Sequence, residues 1–126
     1  MEAASSGNTE EVTRFMPMAI QAHEQARPLN LDGLYHLALL YQTAEDYASA
    51  KQTTQEMLTQ DPDYLLGLSA AADAAIAVGD SATARQNYTH FLEVYDAQIA
   101  KQLEEYSIHQ NMLTDAREKA LSLTRP

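Results

Sequence analysis

The sequence predicts an all-α domain built from two helix pairs, with further helices on either side. Three observations support this prediction. Apolar residues recur at the three-to-four spacing of a helical face. A pattern of small and apolar residues repeats at a fixed interval, which takes Leu34 to Leu68 and Ala50 to Ala84. The 126 residues also contain only four Gly and four Pro, whereas the helix-favouring residues Ala, Leu, Gln and Glu are frequent.

The N-terminal part is predicted to contain one flanking helix. Residues 1–8 are small and polar, and we expect them to be flexible and to precede a single helical domain over residues 9–126. Asn8 and Glu11 have the spacing of a helix cap, and an apolar stripe follows as far as Arg27. Pro17 interrupts this stripe, so we expect a kink or two short helices.

The first helix pair is predicted over about residues 31–64. The break between its helices lies at residues 43–46, where Asp46 can cap the second helix. Each helix has an apolar face at the three-to-four spacing. The faces consist of Leu34, Leu37, Ala38 and Tyr41, and of Tyr47, Ala50, Thr54, Met57 and Leu58.

The second pair is predicted over about residues 65–98. We expect Asp61 to be the N-cap of its first helix and Pro62 to occupy the first helical position. Gly79 should stop that helix, and Asp80 should cap the next one. The apolar faces consist of Leu65, Leu68, Ala72, Ala75 and Ile76, and of Ala84, Tyr88, Phe91, Leu92 and Tyr95.

The C-terminal part is predicted to form one long helix over about residues 98–123. The segment lacks Gly and Pro, and its apolar residues keep the helical spacing. We expect its first half to cap the second pair, because the last unit of a helical array needs a closing partner. Its second half could project beyond the fold.

These patterns resemble the tetratricopeptide repeat family over about residues 31–96. The residues at that family's spacing are Leu34, Leu37, Ala38, Tyr41, Ala50 and Pro62 in the first pair, and Leu68, Ala71, Ala72, Ala75, Ala84 and Tyr88 in the second. The resemblance implies a superhelix of paired helices. Leu34, Thr54 and Asp96 depart from the Trp, aromatic residue and Pro that the family often has there. A helical bundle without repeats would use the same core and remains the alternative.

The resemblance also implies a concave groove lined by the first helix of each pair. The implied partner-binding residues are Asp32, Tyr35, Leu39 and Gln42 from the first pair, and Leu66, Ser69, Asp73 and Ile76 from the second. Chaperone-binding members of the family hold a carboxylate with Lys, Arg and Asn, which this set lacks. Its apolar members favour an apolar helix or extended peptide with basic flanks. The C-terminal helix of the chain itself could equally fill the groove.

The chain is strongly acidic, with 18 acidic and 8 basic residues and a net charge of −10. From Glu24 to Asp80, nine acidic residues stand against only Arg27 and Lys51. Such a surface repels phosphate, so we expect no binding to nucleic acid. No apolar run reaches the length of a membrane span, so we expect no direct membrane insertion. The acidic surface either keeps the chain solvated or steers a basic partner.

No pattern in the sequence indicates catalysis, a cofactor or a metal. The chain has no Cys, its four Gly are too scattered for a phosphate loop, and no carboxylate pair marks a general acid and base. No two of the four histidines lie three or four residues apart, so we expect no metal site. We therefore expect no enzyme, no catalytic residues and no cofactor.

The sequence thus predicts a soluble protein–protein interaction scaffold or adaptor. The alternative is a structural spacer or dimerisation domain of a larger bacterial protein, with a self-filled groove. Either function is compatible with a homodimer. A chain without Cys suits the cytoplasm and the periplasm equally well, so the compartment is not fixed.

Overall fold

The computed structural model describes residues 17–124, and within this range all regular structure is helical. Residues 17–25 form the described part of helix α1. The helices that follow are α2 (Leu31–Thr43), α3 (Tyr47–Gln60), α4 (Leu65–Ala77), α5 (Ser81–Ala100), α6 (Glu104–Ile108) and α7 (Gln110–Thr124). The predicted all-α class is confirmed for this part of the chain. The predicted flexible segment 1–8 and the predicted cap at Asn8 and Glu11 lie outside the described residues. The described range begins at Pro17.

Consecutive helices pack side by side: α2 on α3, α3 on α4, and α4 on α5. The first helices of the two pairs, α2 and α4, have the same length of 13 residues and begin at Leu31 and Leu65. The second helices, α3 and α5, begin at Tyr47 and Ser81. Both pairs of starting points are separated by the interval at which the sequence pattern repeats. That period therefore corresponds to a repeated pair of packed helices.

Two aspartates cap the second helices as predicted. The carboxylate of Asp46 accepts from the amide of Ser49 at 3.2 Å, and that of Asp80 accepts from the amide of Thr83 at 3.1 Å. Each of these bonds satisfies one of the amides that lack a partner in the first turn of a helix. The predicted stop at Gly79 is also confirmed, because its φ of 78° ends α4 in the left-handed region.

The predicted start of α4 at Asp61 and Pro62 is wrong. The carboxylate of Asp61 accepts from the amide of Asp63 at 3.1 Å, which closes a short turn and does not start a helix. Asp61 is instead the C-cap residue of α3, and α4 begins three residues after Pro62, at Leu65.

Small residues allow the helices to approach closely. Ala38, Ala50, Ala72 and Ala84 are all buried, as predicted from their places on the apolar faces. Gly67 also serves this contact, since a Cβ atom at that position would lie 3.1 Å from Cδ2 of Leu58 on α3. The larger residues that fill the space around them include Leu34, Leu37, Met57, Leu68, Tyr88 and Phe91.

The predicted single helix over residues 98–123 is wrong. Helix α5 ends at Ala100, a turn follows in which Gln102 has a φ of 54°, and the short α6 precedes α7. A buried side chain on each side of this turn explains the break. The hydroxyl of Tyr106 donates to Oε1 of Gln98 at 2.8 Å, so α6 is folded back against the end of α5.

Helix α7 takes up the same register as α2 and α4. These three helices each begin three residues before a buried leucine, namely Leu34, Leu68 and Leu113. Helix α7 packs on α5 and touches α4, much as α4 packs on α3 and touches α2. The second pair is therefore closed by α7, which is the second half of the C-terminal segment. The expectation that this half could project beyond the fold is wrong, because α7 packs on α5 with Leu113, Ala116 and Ala120 buried. No helix within residues 17–124 is long and apolar enough to cross a membrane.

Candidate functional site

The eight residues implied as a binding groove lie along α2 and α4, which contact each other. The side chain of Gln42 joins the two helices, because its Nε2 donates to the carbonyl oxygen of Ala70 at 3.1 Å. The other seven residues differ in how accessible they are. Tyr35, Leu66 and Ser69 are covered, the carboxylate of Asp73 is paired with other side chains, Asp32 is half-buried, and Leu39 and Ile76 are exposed.

The covered group consists of Tyr35, Leu66 and Ser69, which are 3%, 0% and 2% exposed. Part of their cover is the segment from α6 through His109 to the first turn of α7, which we call the C-terminal cover. The ring of His109 lies edge-on to that of Tyr35, with centroids 5.1 Å apart. The sulfur of Met112 lies 4.0 Å from the hydroxyl oxygen of Ser69. These three residues are therefore not accessible to a partner while the cover is in place.

Asp73 belongs to the implied groove, but its carboxylate has two partners within the chain. It accepts from the hydroxyl of Tyr88 at 2.7 Å and from Nζ of Lys119 on α7 at 3.1 Å. The contact with Lys119 is half-exposed, so its contribution to stability is small. Burial, together with the Asp73 carboxylate, raises the pKa of Tyr88.

Leu39 and Ile76 remain exposed, at 39% and 41% of their surface. They lie in the last two turns of α2 and α4, away from the starts of these helices where the cover packs. We call this pair of exposed apolar residues the open strip. It is the apolar part of the implied groove that solvent still reaches.

The C-terminal cover is held in place by a buried hydrogen-bond network. The hydroxyl of Tyr106 accepts from the amide of Leu65 at 3.0 Å while it donates to Gln98. Its ring lies 5.7 Å from that of Tyr64, centroid to centroid. Burial raises the pKa of Tyr106 to about 12, so the hydroxyl stays protonated and keeps its donor. No sequence pattern pointed to this contact, because Leu65 and Tyr106 belong to helices that are distant in the chain.

The structure also brings together three potential metal ligands that were not expected to meet. Asp32 and His36 lie one turn apart on α2, with Oδ1 and Nε2 3.6 Å apart. His109 joins them from the C-terminal cover, and one ligand atom from each of the three lies within 4.8 Å of the others. The spacing of Asp32 and His36 was visible in the sequence, but the position of His109 beside them depends on the turn after α5.

A second polar cluster connects α1 to the first pair. The guanidinium of Arg27 donates to the carboxylate of Glu24 and, at 2.8 Å, to that of Glu56 on α3. Glu24 also accepts from the hydroxyl of Tyr41 at 2.5 Å. The bond from Arg27 is the main reason why the pKa of Glu24 is lowered. Because Arg27 bridges both carboxylates, this cluster is best understood as a structural contact.

No protein-family model, curated protein or solved structure matches this chain.

Proposed function

We propose that this chain is a protein-binding scaffold of the tetratricopeptide type. The observation that supports this most is the common register of α2, α4 and α7, each of which begins three residues before a buried leucine. Arrays of this kind place equivalent helices side by side and use their shared face for recognition. Helix α7 is then the first helix of a third unit.

The surface proposed for the partner is the open strip. Leu39 and Ile76 are apolar side chains of the kind that anchor a docked helix or peptide. The chain around them carries a net charge of −10, which favours a partner with basic residues beside its apolar anchors. The proposed partner is thus an amphipathic segment with Lys or Arg at its edges.

Selection from a displayed peptide library, with apolar cores and basic flanks, tests this proposal. The selected peptides are measured by fluorescence anisotropy against the intact chain, the double variant Leu39→Ser/Ile76→Ser, and the control Val78→Ser. Val78 is more exposed than either strip residue, at 59%, but does not belong to the strip. We expect the double variant to weaken binding by about tenfold or more, mainly through faster dissociation, and the control to bind normally.

Two results would contradict the proposal. One is that no peptide is selected. The other is that the strip variant and the Val78 variant bind the selected peptides equally well, because binding would then not use the open strip.

A second candidate function is a structural spacer or dimerisation domain with a self-covered groove. It is favoured by the burial of Tyr35, Leu66 and Ser69, of which Tyr35 and Ser69 contact the C-terminal cover. On this hypothesis no peptide is selected by the intact chain. Light scattering would then report the mass of the assembly, and deletion of residues 110–126 would expose apolar surface to a hydrophobic dye.

A further inference from the structure

We propose that Asp32, His36 and His109 form a binding site for a divalent transition-metal ion of the zinc type. Two of the ligands come from one turn of α2, where residues four apart point to the same side of the helix. The third comes from His109, the residue between α6 and α7. The site is independent of the proposed partner surface, which lies at the other ends of α2 and α4.

The distances between the ligand atoms are close to those that one ion requires. Zinc binds imidazole nitrogen and carboxylate oxygen at about 2.1 Å, so two ligands of a tetrahedral ion lie roughly 3.4 Å apart. Oδ1 of Asp32 and Nε2 of His36 are 3.6 Å apart, and the whole set lies within 4.8 Å. The side chains of Asp32 and His36 are about half exposed, so rotation about their χ angles can supply the remaining ångström.

The chemistry of the ligands selects the class of ion. Imidazole suits zinc, copper, nickel and iron, whereas magnesium and calcium prefer sites built from oxygen alone. Two imidazoles and one carboxylate leave a fourth position of a tetrahedral ion for water. The exposure of His36, whose side chain is 48% accessible, leaves room for that water.

The electrostatic surroundings favour a cation. Asp32 lines a cleft together with Glu104 and Glu105, and the lining of this cleft includes neither Lys nor Arg. A bound ion would therefore offset repulsion among carboxylates that already lie close together.

His90 offers an internal contrast. It also contacts two carboxylates, but Asp63 lies 2.7 Å from its Nε2 and Glu93 lies 3.6 Å from its Nδ1. The two carboxylates thus approach different nitrogens on the imidazole ring and are not placed around a common ion. A variant of His90 therefore removes an imidazole from an equally acidic setting without touching the proposed site.

An ion at this site would join α2 to the C-terminal cover. Its ligands belong to the first helix pair and to the junction in front of α7, two regions that are distant in the sequence. Because an ion that binds only the folded chain stabilises it by mass action, the effect should appear as added protection of the C-terminal cover.

Zinc titration of the full chain, prepared without a polyhistidine tag, tests the proposal by calorimetry. The variants are His36→Gln, His109→Gln and Asp32→Asn, with His90→Gln as the matched control. We expect one Zn²⁺ per chain. Each histidine variant at the site should weaken the affinity by at least about tenfold, since even the outer partners of metal ligands have effects of that size. The control should bind as the unmodified chain does.

The rate of amide hydrogen exchange, with and without Zn²⁺, provides a second measurement on the same proteins. We expect Zn²⁺ to slow exchange in α6 and the first turn of α7 in the unmodified chain and in His90→Gln, but not in His36→Gln. His36 is half exposed and its variant should fold, so this comparison does not depend on the stability of His109→Gln. The proposal is overturned if Zn²⁺ does not bind, if the site variants bind it as well as the control, or if His90→Gln loses it equally.

Discussion

Glu45 and Gly79 occupy equivalent places in the two helix pairs and adopt the same left-handed backbone conformation, with φ angles of 61° and 78°. The hydrogen bonds around them also match. The amide of Asp46 donates to the carbonyl of Tyr41 at 2.9 Å, and that of Asp80 donates to the carbonyl of Ala75 at 2.8 Å. The same turn is therefore built twice, once with the residue that suits it and once with a residue that does not.

Opposite substitutions at these two positions should have opposite effects. We expect Glu45→Gly to raise the free energy of unfolding by about 0.5–1 kcal/mol, because glycine adopts positive φ without strain. Gly79→Ala should lower it by about 1 kcal/mol through the backbone alone, since no atom beyond the adjoining residues lies within 4 Å of the new Cβ. Urea unfolding measures both. The control Glu45→Ala keeps the strain, and if it stabilised the chain as much as glycine, backbone conformation would not be the cause.

Ala72 on α4 is fully buried, and enlarging it should overpack the contact between helices. We expect Ala72→Leu to lower the free energy of unfolding by roughly 1–3 kcal/mol. Ala77→Leu makes the same change at an exposed position in the same helix and should have little effect. Thermal melts followed by circular dichroism compare the two, and equal melting temperatures would mean that α4 does not pack in the described register.

Leu113 and Leu123 provide a matched pair on α7, with 1% and 41% of their surfaces exposed. Leu113→Ala should lower the free energy of unfolding by about 2–4 kcal/mol, because it leaves a cavity in the core. Leu123→Ala should cost less than about 1 kcal/mol. Chemical unfolding and dye binding distinguish them. A Leu113 variant as stable as the Leu123 variant would show that α7 is not docked in solution.

Alkaline pH should unfold the chain, because Tyr35 and Tyr106 are buried as neutral phenols. Burial is the main cause that raises the pKa of each to about 12, from about 10 for an exposed tyrosine. Their contribution to stability is thus complete below about pH 10 and is lost as the pH rises towards 12.

Absorbance of tyrosinate near 295 nm and far-ultraviolet circular dichroism, recorded over the same pH range, check this expectation. We expect part of the tyrosinate signal to appear only together with loss of helix. The Tyr106→Phe variant should lack one such tyrosine. Complete ionisation of all tyrosines near pH 10 while the helices remain intact would contradict the buried positions of both residues.

The features that sequence reasoning predicted are those set by local chemistry. The caps at Asp46 and Asp80 and the stop at Gly79 depend on residues within one turn, and the helical faces depend on spacing alone. The turn at Asp61 was mistaken because aspartate closes a short turn as readily as it caps a helix. The break after Ala100 could not be predicted, because Gln102 has no intrinsic preference for positive φ. The contact across the turn, from Tyr106 to Gln98, joins residues of two different helices.

In the candidate sites, too, the features set by local sequence could be predicted and those set by tertiary packing could not. Sequence reasoning assigned Leu39 and Ile76 to the implied groove, but it could not decide whether the C-terminal segment would cover their neighbours. It also counted Ile76 in the apolar face of α4, where the structure leaves this residue 41% exposed. The pairing of Asp32 with His36 was readable as a helical spacing. The third ligand was not, since the position of His109 depends on where α5 ends and on the packing of Tyr106.

The contact between Tyr35 and His109 has a consequence for how the chain folds. In a linear array of helix pairs, each unit touches only its neighbours and the ends can fray independently. Here the C-terminal cover reaches past α4 to α2, so the first pair and the end of the array share an interface. Loss of either end removes contacts from the other. The described helices should therefore unfold as one cooperative unit, with a single transition for all probes. The slow step in folding should include closure of the long loop of chain between Tyr35 and His109.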